Sequence, residues 1–251
     1  MNLKLEGRRC LVTGASAGIG ASIVESLARE GARVVATARR SDALDKFADS
    51  IERVGHHRPV TIAGDITEAD EVKRIAKEAA AAIGDIEILV NCAGGSRPLP
   101  IDASEEAWEE SFSLNFTQVR RMTGEVLPAM RRARWGRIIN ITGIMEPRGI
   151  NGAIAAKAAV HLWAKGLSRD VAREGITVNN VPPGRIESEQ IARMYPPKER
   201  SEFVDANVPI GYFGEPSDLA PLVVFLASPI SRYITGTVIP VDGGMTYFGA
   251  A

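Results

Sequence analysis

Thr13-Gly14-Ala15-Ser16-Ala17-Gly18-Ile19-Gly20 follows the apolar run Cys10-Leu11-Val12 and opens a stretch with helical spacing. A strand that turns on glycines straight into a helix suits one kind of ligand. The first glycine allows a tight turn, the second lets the backbone approach a pyrophosphate, and the third lets the helix pack close to its sheet, while the helix amides face the negative charge. The stretch predicts an α/β domain with a dinucleotide at Gly14, Ser16, Ala17, Gly18, Ile19 and Gly20.

Outward from that loop, short β-rich runs alternate with longer helical stretches. Strands are predicted at Arg9–Thr13, Arg33–Thr37, Val60–Ala63, Ile86–Asn91, Gly136–Ile141, Thr177–Val181 and Val238–Val241. Helices are predicted to begin near Ile19, Asp42, Glu68, Glu105, Ala153, Ser188 and Ser217, mostly beside Ser, Thr or Asp residues able to cap free amides. This alternation predicts a doubly wound Rossmann fold, a seven-stranded parallel sheet with helices on both faces. At 251 residues, with no internal linker, one domain spanning 1–251 is expected. Between Pro182 and Pro216 lie six prolines and the interruption Met194-Tyr195-Pro196-Pro197, too broken for a core helix, so a mobile flap over a pocket is expected at about 182–216.

The composition, 45% hydrophobic, 24% charged and 6% aromatic, is that of a soluble globular protein. Its 30 basic and 31 acidic residues leave a net charge of −1, which supplies no field to hold nucleic acid or an anionic membrane. The cluster Arg131, Arg132, Arg134 reads as a solvated helix end. No long apolar core follows Met1, and Gly14 and Gly18 interrupt the next apolar run, so a cytoplasmic location without signal peptide or membrane span is expected. Cys10 and Cys92 fall at strand ends as small apolar residues, and neither they nor the three histidines have metal-ligand spacing, so no metal is expected.

Further motifs fall in a fixed order along the whole chain: Asp65 after the third strand, Asn91-Cys92-Ala93-Gly94 after the fourth, Asn115 in Leu114-Asn115-Phe116, then Ile176-Thr177-Val178-Asn179 with Pro183-Gly184, and finally Val241-Asp242-Gly243-Gly244. With the Thr13–Gly20 loop they resemble the short-chain dehydrogenase/reductase family. Cys92 departs from the family's asparagine, and Ser188 stands where a threonine is common. The resemblance implies cofactor contacts at Asp65, Ile66, Asn91, Ala93, Gly94, Pro183, Gly184 and Ile186, besides the loop. After the second strand the chain reads Ala38-Arg39-Arg40. A carboxylate there would hold the ribose hydroxyls of NAD and repel a 2′-phosphate, whereas arginine favours the phosphate, so NADP is expected over NAD, with Arg39 and Arg40 as contacts.

In the family a tyrosine gives its proton to the substrate oxygen as hydride arrives from the nicotinamide, a lysine one turn later lowers the tyrosine pKa and holds the ribose, a serine binds substrate, and a helix asparagine fixes a relay water. Lys157 and Asn115 match the lysine and the asparagine. Ala153 falls at the tyrosine position and Gly143 at the serine position, with Thr142 one residue earlier. Removing a general acid typically costs about a hundred- to ten-thousandfold in rate, so a reductase with this sequence is expected to be very poor unless another group substitutes. The expected catalytic set is Asn115, Thr142 and Lys157, with Thr142 as hydroxyl donor and Lys157 as ribose anchor or direct proton source.

Other residues expected at the pocket rim are Arg97, Glu146, Arg148, Asn151 and Arg185, whose arginines suit a small substrate bearing a carboxylate or phosphate. Tyr195 is expected to pack within the flap, and His161 to lie at a subunit contact. The resulting expectation is an NADP(H)-dependent oxidoreductase acting on a carbonyl or alcohol, similar to the 3-oxoacyl-carrier-protein reductases. The alternatives are a lyase, isomerase or hydrolase on the same fold, or an NADP-binding protein without turnover. The resemblance also implies a homotetramer, or failing that a homodimer, pairing the helices at Glu105–Met130 and Ala153–Val171.

Overall fold

The computed structural model describes residues 1–143, 146–147 and 149–246. Six strands form its sheet: β1 (Arg9–Thr13), β2 (Arg33–Ala38), β3 (Val60–Ala63), β4 (Ile88–Asn91), β5 (Gly136–Ile141) and β6 (Ile176–Val181). All pairs are parallel, and the order is β3-β2-β1-β4-β5-β6. Every residue of β4, β5 and β6 is buried, as expected of parallel strands covered on both faces.

The helices are α1 (Gly18–Arg29), α2 (Ser41–Arg53), α3 (Ala69–Ile83), α4 (Glu105–Phe112), α5 (Gln118–Ala133), α6 (Gly152–Val171), α7 (Glu189–Met194), α8 (Pro197–Asn207) and α9 (Pro216–Ala227). Ile23, Leu27, Leu44 and Leu219 carry α1, α2 and α9 onto one sheet face. On the other face Ile75, Met122, Val126 and Ala164 anchor α3, α5 and α6. From β1 the chain runs outward through β2 and β3, then returns to β4 on β1's other side. The reversal leaves a crevice beyond the carboxyl ends of β1 and β4, where ligands of open α/β sheets bind.

Three expectations change. The predicted seventh strand, Val238–Val241, makes only isolated bridges, Asn180 with Val238 and Pro183 with Val241. Pro240 lacks the N–H a continuous ladder needs, and Pro182 and Pro183 remove two more on the facing segment. The long helix predicted over Glu105–Met130 is divided by a π-turn at Ser113–Thr117. Between 182 and 216 the chain carries α8 as well as α7, because Pro197 starts a helix instead of breaking one. Among the described residues no helix is long and apolar enough to cross a membrane.

Candidate active site

The glycine loop is shaped by the space around it. Gly14 has φ +68°, and a Cβ there would lie 2.7 Å from the Ala93 Cα. That approach is locked by Thr13, whose Oγ1 accepts the N–H groups of Cys92 and Ala93 at 3.0 and 3.1 Å. The helix α1 starts after Ala17, which offers no side-chain cap, and Ala21 N–H bonds back to the Ala17 carbonyl at 3.4 Å. The amides of the first turn are thus left to a ligand, with the positive end of the helix dipole behind them. At Gly18, φ +56°, a Cβ would meet within 4 Å, among the described residues, only Ser188 Cβ at 3.9 Å, so the space above the loop is open.

A cavity of about 1060 Å³ runs from this loop across the sheet edge. Gly14, Ser16, Ala17, Gly18, Ile19 and Gly20 form its first wall. Arg39, Arg40, Asp65 and Ile66 line the end beyond β2 and β3; Ala93, Gly94, Pro183, Gly184 and Ile186 line the middle. Burial tends to raise the Asp65 carboxyl, but the Thr67 N–H and hydroxyl, at 3.0 and 2.8 Å, and the Arg39 charge outweigh it and hold its pKa below the ordinary value. Arg40 reaches Glu189 of α7 at 3.9 Å, an exposed pair of little energetic weight. Thr37, also in the lining, has a buried hydroxyl with no partner among the described residues. Only its place between Ala36 and Ala38 at the end of β2 could have marked it.

At the other end stand Lys157, Thr142, Gly143, Ala153 and Cys92. Lys157 Nζ donates to the Thr142 carbonyl at 2.8 Å. Burial pushes the Lys157 ammonium pKa below its ordinary value and pushes the Cys92 thiol up to about 12. His161, one turn after Lys157 on α6, lies with its Nε2 2.6 Å from Thr142 Oγ1 and is only 5% exposed. The expectation of a subunit contact is therefore corrected: the helical spacing that brings Lys157 to the site brings His161 in behind it.

Two of the expected cofactor and catalytic residues sit outside the lining. Asn91 is buried because its amide donates to Asn140 Oδ1 at 2.9 Å, and Asn140 in turn donates to Asn180 Oδ1 at 3.0 Å, a ladder across β4, β5 and β6. Asn115, in the π-turn, accepts from Gly95 N–H at 3.0 Å and donates to the Gly95 and Ser111 carbonyls at 3.2 and 3.0 Å. It fixes the wall formed after β4 instead of facing the cavity.

At the rim, Asn151 lines the cavity but caps α6, accepting from Ala153 and Ile154 N–H. Arg97 pairs with Glu110 at 2.9 Å. Arg185 donates from Nε to Tyr195 Oη at 3.1 Å, while Tyr195 packs against Phe203 and Phe213. Glu146 is exposed and outside the lining, and Arg148 lies outside the described residues. Among the described residues no group of three or more His, Cys, Asp or Glu is placed to hold a metal.

Comparison with known proteins agrees with this geometry. A family model described as enoyl-(acyl carrier protein) reductase matches residues 14–246. The 3-oxoacyl-[acyl-carrier-protein] reductase FabG of Vibrio cholerae is 37% identical over 97% of this chain and 99% of its own, and that of Thermotoga maritima is 34% identical over the same shares. Among solved structures, a 7α-hydroxysteroid dehydrogenase complexed with NADH and 7-oxo glycochenodeoxycholic acid aligns with TM-score 0.93 and 31% identity, covering 98% of this chain and 96% of its own. L-sorbose reductase from Gluconobacter frateurii, complexed with NADPH and L-sorbose, aligns with TM-score 0.93 and 29% identity over 99% and 100%. Matched by that family model over residues 14–246 and by relatives of up to 37% identity over nearly its whole length, the chain belongs to the short-chain dehydrogenase/reductase family, among relatives of the 3-oxoacyl-[acyl-carrier-protein] reductases.

Proposed function

We propose that the chain is an NADP(H)-dependent oxidoreductase that interconverts a carbonyl and an alcohol, with Ala153 and Gly143 where its family carries tyrosine and serine. The observation that carries this reading is continuity: one cavity joins the uncapped start of α1, Arg39 and Arg40 to Lys157 and Thr142. A dinucleotide fits the first part through free amides, the open face of Gly18 and the Thr37 hydroxyl, which has no partner among the described residues. NADP is favoured because Ala38 puts no carboxylate beside a 2′-phosphate and two arginines follow it. The relatives were solved with NADH in one case and NADPH in the other, so the choice rests on these residues.

When bound, the dinucleotide supplies hydride. Lys157 holds the proton that the substrate oxygen takes up; its burial makes the ammonium a better acid than lysine in water. Thr142 donates a hydrogen bond to that oxygen as charge develops. Asn115 keeps the Gly95 wall in place. The relatives named above take an acyl chain on a carrier protein, a bile acid and a sugar, so only the reacting carbonyl is proposed for the substrate, with Arg185 favouring an anionic one. The protein is proposed to be cytoplasmic and a homotetramer or homodimer, with α6 in the contact, where Leu162 is 79% exposed.

One observation favours a second reading: among the described residues no tyrosine lines the cavity. A chain that binds NADPH without transferring hydride, or that performs elimination or isomerisation, meets the same geometry. Titration with NADPH and with NADH, followed by absorbance of the reduced nicotinamide with ketones and 3-oxoacyl thioesters, separates them. Oxidation of NADPH supports the oxidoreductase, binding without oxidation supports the second reading, and failure of both dinucleotides to bind overturns both.

A further inference from the structure

The hydrogen-bonding groups of Thr142 can be followed one by one. Its N–H donates to the Val181 carbonyl at 3.1 Å, and its carbonyl accepts from Lys157 Nζ at 2.8 Å. Oγ1 remains, 2.6 Å from His161 Nε2. The direction of that bond decides what the hydroxyl can do. With the imidazole proton on Nδ1, Thr142 must donate to Nε2, and its proton is engaged. That tautomer also buries an Nδ1–H with no acceptor, because Nδ1 has no partner among the described residues. With the proton on Nε2, Thr142 accepts, and the orphan is a lone pair. Buried N–H groups without acceptors are rarer than acceptors without donors, so the Nε2–H tautomer is favoured. The Thr142 proton is then left for the cavity that the residue lines.

We propose that His161 is a positioning residue of the site: its Nε2–H holds Thr142 Oγ1 so that the hydroxyl proton points into the cavity, at the oxygen of a carbonyl or alcohol substrate. This rests on the reading that Thr142 meets the substrate oxygen. Burial and the Lys157 charge push the His161 pKa down to about 4, so near neutral pH the ring is uncharged and donates from one nitrogen only. His161 is brought to the site by its place four residues after Lys157, one helical turn along α6.

Three variants and one spectrum test this in the full-length chain. His161→Leu removes the donor, Thr142→Val removes the hydroxyl with little change of shape, and His161→Gln returns an N–H close to the Nε2 position. With NADPH and a ketone that the wild type reduces, His161→Leu is expected to lower kcat about tenfold with KM within about twofold, the worth of one neutral hydrogen bond. His161→Gln recovers most of that loss. Added to Thr142→Val, His161→Leu costs nothing further, because the group through which it acts is gone. Nitrogen-15 NMR of the wild-type imidazole, with and without NADPH, is expected to find the proton on Nε2.

A proton on Nδ1, wild-type kcat in folded His161→Leu, or losses that simply add in the double variant would each overturn the proposal. If the wild type binds NADPH but reduces no carbonyl, the role of Thr142 toward substrate fails separately, and the NMR tautomer alone decides whether His161 aims the hydroxyl.

Discussion

The two ends of the cavity obey different constraints. At the end formed by Gly14, Gly18 and the start of α1, the backbone makes the site, and residue identity follows from space and φ. A side chain on Gly14 has the Ala93 backbone in its way. At the Lys157 end, side chains make the site, and Gly143 and Ala153 impose little on the fold. The first end can therefore persist while the second is rebuilt, which is why membership of the family constrains the ligand more tightly than the reaction.

The strongest way to break this contrast is at the backbone end. Gly14→Val is expected to weaken NADPH binding by about a thousandfold or to prevent folding, read by fluorescence titration alongside circular dichroism. A folded variant with wild-type affinity would show that the loop is not the pyrophosphate site. At the side-chain end, Ala153→Tyr with Gly143→Ser is expected to raise ketone reduction by about a hundredfold, because on the proposed reading it places a general acid beside Lys157. A Cβ on residue 143 would lie 3.3 Å from Lys157 Cδ, so the lysine stem must move by a few tenths of an ångström. A double variant that folds and binds NADPH with no gain in rate would mean that this end has moved relative to the family's.

Smaller effects sharpen the picture. Ala38→Asp is expected to shift preference from NADPH toward NADH by about ten- to a hundredfold in the ratio of dissociation constants, through repulsion of the 2′-phosphate and attraction for ribose hydroxyls. An unchanged ratio would remove the residues after β2 from the choice. Smallest is an acid effect from His161. Its pKa is about 4 in the folded chain against an ordinary 6.5, so between those pH values the unfolded chain binds a proton that the folded one excludes. Stability is therefore unaffected by this group above about pH 6.5 and falls as pH drops toward 4, by roughly 1–3 kcal/mol in all. Urea titrations from pH 7 to 4 should find a shallower fall in His161→Leu than in the wild type; parallel curves would contradict the burial of a neutral ring.

Much of the fold was legible because it is written in repeated local signals. Apolar runs gave the six strands, and Ser104, Asn151 and Ser188 cap α4, α6 and α7 where polar residues precede the helical spacing. What was not legible depended on partners distant in sequence. Val238–Val241 looks like a strand until Pro182 and Pro183 are set opposite it. The π-turn at Ser113–Thr117 accompanies Asn115's bonds to Gly95, twenty residues away. The prolines at 196 and 197 read as a break, yet α8 starts on the second. In the site, the loop, Arg39, Arg40, Asp65 and Lys157 came from spacing and family pattern and lie in one cavity. Asn91 belonged to the same pattern but turned to the asparagines of its neighbouring strands. His161 had no motif, and only packing reveals that it backs Thr142.

The most direct test of the dinucleotide site is calorimetric titration of the wild-type chain with NADPH and with NADH. Saturable binding at one site per chain, tighter for NADPH and weakened by Arg39→Ala, is the expected result. No heat or displacement with either dinucleotide would contradict the central claim, whatever the reaction at Lys157 turned out to be.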